Sequence, residues 1–325
     1  MIAPPAPYAT VHAAQLAMTT APLAWLAEGL FLQGGAGILG GAPKSGKSFF
    51  ALDLCVAVAS ATPCAGRFAI PNRGRVTLLC AEDPHAVIVG RLRALAASRN
   101  LPLAELPLDV IVEPSVRLPE GLPRLRATVD KTKPRLLLLD PLIRLHRADE
   151  NSAAEMSVIL DGLRSLARDT STAILLVHHT RKAAGPFAGA ALRGSSDLHA
   201  FGDTNLYFRK LAHDGTVELR IEHRATSCPP PIHLRLVVDE PAAVARFVAV
   251  DNKDASQADP LAPRLLAALA KTKTPMSARA LRAALGVRNN LIGDTLRALL
   301  AQGRIHRVGR DGWSLAPTGS GSRPI

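Results

Sequence analysis

Two periodicities of apolar residues alternate along the chain, and their order predicts a fold class. Short, nearly uninterrupted apolar runs occupy residues 36–41 (AGILGG), 75–82 (RVTLLCAE), 107–114 (PLDVIVEP), 135–142 (RLLLLDPL) and 172–179 (TAILLVHH). Runs of this length, bounded by turn residues, read as strands buried on both faces. Stretches with helical spacing lie between them, at about 47–60, 84–98, 119–130 and 153–168. Strands alternating with helices imply a parallel sheet covered on both sides, an α/β architecture. From 203 to 249 the pattern changes. TNLYFRKL, GTVELRIEH, IHLRLVVD and AVARFVAV read as short antiparallel strands extending that sheet.

The remaining segments set the expected boundaries. Residues 1–20 are rich in Pro and Ala and are expected to be flexible, ahead of a main domain over 21–250. DNKDASQADP (251–260) reads as a polar linker, and PTGSGSRPI (317–325) as a disordered tail. Between them, 261–316 has the layout of a small domain. A helix covers about 261–270. A second starts at Ser277 as a cap and stops at Gly286. A third, over VRNNLIGDTLRALLAQG, carries Leu291, Leu296, Leu299 and Leu300 on an apolar stripe, and two short strands flank the segment from Gly309 to Gly312. This resembles a winged helix-turn-helix, in which the second motif helix enters the major groove and the wing grips the backbone. Arg288, Asn289 and Asn290 would lead that helix, with Arg304, Arg307 and Arg310 about the wing. A winged helix that binds protein instead is the competing reading.

Composition narrows the class. At 325 residues and 48 % apolar, the chain suits one large domain or two ordinary ones. No apolar run approaches the roughly 20 residues of a membrane-spanning helix. The first twenty residues lack a charged start followed by an apolar block, so no secretory leader is expected. Four scattered cysteines without a CxxC pair fit a reduced cytoplasm and indicate neither a disulfide frame nor a zinc site. The net charge is +12, and residues 261–325 hold nine Arg and two Lys against Asp294 and Asp311, a surplus of nine. Such local excess favours polyanions such as nucleic acid, although a coding bias toward Arg, 30 against 9 Lys, contributes.

The sharpest chemistry is GGAPKSGKSFF. Gly41, Ala42, Pro43, Lys44, Ser45, Gly46, Lys47 and Ser48 follow an apolar strand and open a helix, the context a P-loop requires. Backbone N–H groups of such a loop and the helix N-terminus cradle phosphate. Lys47 is expected to reach the β- and γ-phosphates of ATP and Ser48 to ligate Mg²⁺. Asp140, ending an all-apolar strand, is the expected partner carboxylate for the metal. Glu82 is the candidate general base, on a strand expected beside the P-loop strand. Asp83, before Pro84, reads as a helix N-cap.

Taken together, Gly41–Ser48, CAEDP, LLLLDPL and LLVHHTRK…LRGSSD resemble the RecA-like hexameric ATPases of the plasmid replicative helicase RepA type, over roughly residues 20–225. The resemblance implies a ring of identical subunits, possibly a hexamer, with ATP between subunits and single-stranded DNA in the pore. It maps the acid of that family onto Glu82 and the metal carboxylate onto Asp140. Successive strand residues face opposite sides, so His178 and His179 are not expected to form a metal pair. Their strand is expected next to that of Asp140. The resemblance implies that one histidine senses the γ-phosphate, and the reading favours His178 over His179; a histidine satisfied in the core is the bland alternative. The following loop, rich in Gly and Ala, offers Arg181 and Lys182 to DNA or nucleotide. Arg193 is the candidate cation inserted into a neighbour's ATP site, with Arg209 and Lys210 as rivals. The loop at 143–152 faces the pore or is a solvated connector. The functional expectation is an ATP-hydrolysing DNA motor, a replicative-type helicase or translocase of a plasmid, phage or other mobile element, with single-stranded DNA in the ring and duplex at the winged helix. An ATP-switched DNA-binding regulator or loader that unwinds nothing is the alternative, and a recombinase-like filament a weaker third.

Overall fold

A computed structural model describes residues 8–20, 22–113, 116–179, 196–211, 215–250, 261–272, 274–286, 289–301, 303–309 and 312–316. The chain divides into two compact units, Met1–Ala249 and Val250–Ile325.

In the first unit, a short helix α1 (Ala13–Thr19) precedes a small hairpin of β1 (Trp25–Ala27) and β2 (Phe31–Leu32). Then come β3 (Ala36–Gly41), α2 (Lys47–Ser60), β4 (Val76–Cys80), α3 (His85–Ala97) and β5 (Leu108–Val110). They are followed by α4 (Leu122–Thr132), β6 (Leu136–Asp140), α5 (Ala153–Thr170), β7 (Ala173–His179) and α6 (Ser196–Phe201). Finally β8 (Thr204–Lys210), β9 (Thr216–His223), β10 (Ile232–Asp239) and β11 (Val244–Val250) complete the sheet. Its nine strands run in the order β11-β10-β9-β8-β3-β7-β6-β4-β5. β5, β4, β6, β7, β3 and β8 are parallel to their neighbours, whereas β8–β9 and β9–β10 are antiparallel.

Two sequence expectations are corrected here. β4 does not lie beside the P-loop strand; β7 and β6 intervene. The reason is α2, eleven of whose fourteen residues are buried. Apolar nearly all round, it lies across the sheet and carries the chain past two strand positions before re-entry, and the later apolar runs β7 and β6 fill the gap. The first of the four following strands, β8, is parallel to β3, because the segment containing α6 returns the chain to the starting edge of the sheet.

Strand alternation sorts the interior into two layers. Leu39, Leu78, Leu138, Leu175 and Val177 face α2 and α3, and Ile38, Leu79, Leu139, Ile174 and Leu176 face α4, α5 and α6. β3, β4, β6 and β7 therefore each present one residue set to each helical layer, which decides the side on which each functional residue emerges.

Among the described residues, the second unit has three helices, α7 (Leu261–Lys271), α8 (Ala278–Leu285) and α9 (Asn289–Ala301), and a three-stranded antiparallel sheet ordered β12 (Met276–Ser277), β14 (Gly312–Leu315), β13 (Ile305–Val308). The Ser277 side chain accepts from the Ala280 N–H, and Gly286 ends the helix at φ 66°, a left-handed turn that Gly adopts at no steric cost. Leu261, Leu265, Leu269, Leu281, Ile292, Leu296, Leu299 and Ile305 form its core. The stripe on α9 thus runs through Ile292, Leu296 and Leu299, with Leu300 turned outward at 42 % exposure; nothing is described of the Leu291 side chain. Among the described residues no helix is long and apolar enough to cross a membrane. The expected linker 251–260 and tail 317–325 lie outside the described residues.

Candidate functional site

The parallel strands converge at their carboxyl ends on a cleft of about 700 Å³. β3 ends at Gly41, and the chain turns through Ala42, Pro43, Lys44 and Ser45 into α2. Lys44 (φ 59°) and Gly46 (φ 91°) both adopt left-handed backbone conformations, a geometry that gathers successive N–H groups into an anion-binding concavity. A Cβ at Gly41 would lie 2.7 Å from the Phe208 carbonyl oxygen, so only glycine lets the loop lie this close to β8. The N-terminus of α2 adds positive potential at the same point.

Lys47 is buried, and its Nζ donates to the Ala42 carbonyl at 2.8 Å. Burial pulls its ammonium down to about 8, against the opposing pull of Asp140 and Glu82. Asp140 is 7 % exposed. Burial pushes its carboxyl up to about 6, with a hydrogen bond from Ser48 pulling it down. A serine hydroxyl and a buried carboxylate joined beside a phosphate cradle are hard oxygen donors suited to Mg²⁺, so Ser48 and Asp140 would hold the metal of a Mg·ATP complex. Cys80, opposite Asp140 in the register, also lines the cleft. Burial pushes its thiol up to about 12, so it stays protonated at neutral pH.

Glu82 and Asp83 reach the cleft from the end of β4, on the far side of β6. Glu82 is half exposed, with the Arg144 guanidinium 3.8 Å away. Asp83 does not cap α3. Pro84 holds the cap position with no side-chain hydrogen bond, and Asp83 pairs closely with Arg91, one of whose guanidinium nitrogens donates to it. Arg91 in turn lies over the Phe49 ring at 5.2 Å. This Asp83–Arg91–Phe49 wall was not legible as a site: the acid and the cation are eight residues apart, and Phe49 looks like one more apolar residue of α2.

The histidines separate as strand alternation requires, and the one at the cleft is His179 rather than the favoured His178. His179 lines the cleft, its Nδ1 3.4 Å from Lys47 Nζ. His178 is buried on the opposite face, its Nδ1 3.5 Å from a carboxylate oxygen of Glu150. β7 lies beside β3 in a register that puts Val177 and His179 on the α2 side, so His178 cannot contact a nucleotide in this cleft.

Arg209 and Lys210 leave the carboxyl end of β8, the same sheet edge, both exposed. Arg209 makes a two-point hydrogen bond to Glu218, at 3.2 and 2.8 Å. In the second unit, Arg304 and Arg307 are exposed. Arg307 lies over the Trp313 ring at 5.6 Å, beside a groove also lined by Arg279 and Arg297, which sequence reasoning did not single out. Asn289 and Asn290 open α9; nothing is described of their side chains. Arg181, Lys182, Arg193, Arg288 and Arg310 lie outside the described residues.

The titrations set a pH dependence. Phosphate near Lys47 favours the ammonium, so ATP binding near pH 8 is expected to take up protons, and affinity to fall as pH rises through about 8. At the acid end Asp140 must ionise to hold Mg²⁺, so Mg·ATP affinity should fall by about tenfold per pH unit below about 6. Calorimetry in buffers of different ionisation enthalpy reads both.

A solved DnaB-like replicative helicase, described with its interactions with primase, shares this fold, with a TM-score of 0.50 and 15 % identity. The alignment covers 67 % of this chain, which spans 58 % of the length of that one. The mostly parallel sheet and phosphate loop are those of a RecA-like P-loop core. A family model described as an AAA domain matches residues 2–185, more than half of the sequence. The chain belongs to the AAA domain family.

Proposed function

We propose that the protein is an ATP-hydrolysing motor acting on DNA, a helicase or translocase that works as a ring of identical subunits. One observation carries the reading: Lys47, Ser48, Asp140, Glu82 and His179 meet in a single cleft behind a phosphate cradle. Lys47 and the cradle bind and orient the β- and γ-phosphates. Ser48 and Asp140 would hold the metal, which would supply positive charge to neutralise the phosphates. Glu82, half exposed at the mouth, takes the proton of the attacking water. His179, in reach of Lys47, reports the γ-phosphate to the strand end. A cation from a neighbouring subunit would stabilise the developing charge; Arg193 remains a candidate, with Arg209 and Lys210, at the carboxyl end of β8, as rivals. Mass measurement with and without ATP and single-stranded DNA tests the ring, and strand displacement tests the motor. DNA-stimulated turnover without displacement or assembly would instead make it an ATP-switched regulator or loader. Function in replication of a plasmid, phage or other mobile element, in the cytoplasm, follows from the resemblance to RepA-type helicases.

For the second unit we infer a winged helix-turn-helix binding duplex DNA, with α9, opened by Asn289 and Asn290 after Arg288, as the groove helix and β13–β14 as the wing. Its charge surplus and the exposed Arg304 and Arg307 support this. Removing 261–325 is expected to abolish salt-sensitive duplex binding in a filter or anisotropy assay while ATP binding persists. Undiminished duplex affinity would refute the assignment.

A further inference from the structure

Behind the nucleotide cleft, on the other face of the sheet, three ionisable side chains meet in the core. The Glu150 side chain is 13 % exposed, with one oxygen 3.5 Å from His178 Nδ1 and 3.8 Å from His146 Nε2. His146 is itself buried. These contacts are longer than hydrogen bonds and become ion pairs when the imidazoles are protonated, which offsets part of the cost of enclosing a carboxylate. His178 is adjacent to His179 on β7, while His146 and Glu150 belong to the loop that begins directly after Asp140. The cluster therefore joins two segments that both start at the cleft.

The loop it holds is otherwise firmly built. Arg117 donates to the Arg144 carbonyl at 2.5 Å, the Leu118 N–H donates to Leu145 at 2.6 Å, and Ser152 caps α5. Outward it shows Arg144 and Arg147, both exposed. Inward, Leu142 and Leu145 share a core cluster with Ile174 and Leu176 of β7, and Glu150 meets His178 at the end of that strand. A strand end is stiff: a displacement that brings His179 to a phosphate carries His178 with it, and a close-packed interior answers such a shift by changing contacts rather than by stretching them.

We propose that His178, Glu150 and His146 form a buried latch through which the nucleotide cleft sets the position of loop 141–152 and its arginines. His178 is here a positioning residue, and the proposal rests on the nucleotide-binding reading above. Before ATP binds, the Glu150 carboxylate ties the loop to β7. When His179 engages the γ-phosphate, the His178–Glu150 contact alters and Arg144 and Arg147 move with the loop. The cations would present their guanidinium groups to a phosphate backbone in one nucleotide state and not in the other.

Hydrogen exchange of the intact protein, with and without Mg²⁺ and a non-hydrolysable ATP analogue, tests this. In the wild type, exchange across 141–152 should change by at least about fivefold on binding, the low end of allosteric couplings. Glu150→Gln, which keeps shape and removes charge, should abolish that change while analogue affinity stays within about twofold. His178→Gln should do the same, and serves if the first variant fails to fold. A wild-type loop that does not respond, a folded variant that responds as wild type does or loses analogue binding together with the response, or failure of both variants to fold would each overturn the latch. Absence of analogue binding by the wild type itself would remove the nucleotide reading, and the latch with it, and is seen separately in the affinity measurement.

Discussion

Replacing Lys47 by alanine is expected to lower ATP turnover by about 10³-fold and to leave the fold intact. The lysine ends inside the cleft, where its Nζ is tied to the carbonyl of Ala42 and lies 3.4 Å from His179. No other described cation lining the cleft stands in its place: Arg91 is engaged by Asp83 and stacked on Phe49, and the Lys44 side chain is exposed. The variant loses the one buried positive charge that faces the cradle, so ATP affinity should fall together with turnover. Its effect on stability should run the other way. Burial holds the ammonium down to about 8, which means that the folded protein bears a charge it would shed more readily than the unfolded chain. That cost is greatest at pH values below about 8 and shrinks as pH rises toward the ordinary lysine value. Without nucleotide, Lys47→Ala should therefore melt no lower than the wild type at neutral pH. Turnover measured beside a melting curve separates the two effects. Inactivation accompanied by a large loss of stability would mean that the lysine is a packing residue.

Changing Glu82 to glutamine should give the second-largest effect, a fall in turnover of about 10²–10⁴-fold, the range for losing a general base. Binding should survive, in contrast to Lys47→Ala. Glu82 sits at the mouth of the cleft, half exposed, away from the backbone cradle. Its pair with Arg144, 3.8 Å apart and open to solvent, contributes little to stability. The amide cannot take a proton from water but fills the same space. The expected signature is a protein that retains ATP, protects against melting in its presence and releases phosphate at a residual rate. Equal turnover in wild type and variant would remove the assignment, and Asp83 would not simply replace it, because Arg91 already holds that carboxylate.

Much of this protein was determined by the sequence alone. The phosphate loop was legible because its requirements are local: glycines where the backbone turns left-handed or meets β8, a strand before and a helix after. The helix expected over 47–60 is α2 (Lys47–Ser60), because an apolar run with alanine and leucine after a glycine-rich turn has one good local solution. The same holds for Ser277 and Gly286, whose capping chemistry acts over three or four residues. Apolar continuity separated the buried parallel strands from their neighbours, since only strands covered on both faces can be apolar at every position.

Only the tertiary structure decided who stands beside whom. Strand order depends on how far α2 carries the chain across the sheet, and no local pattern records that distance; so Glu82 approaches from beyond β6 rather than from beside the P-loop. Alternation told that the two histidines part company, but the side facing phosphate follows from the register of β7 against β3 and from which helical layer holds α2. Arg91 with Asp83, and Glu150 between His146 and His178, are meetings of residues that packing alone brings together. Local sequence sets backbone conformation through short-range sterics and hydrogen bonding, whereas the direction in which a functional side chain points is settled by burial of the whole sheet.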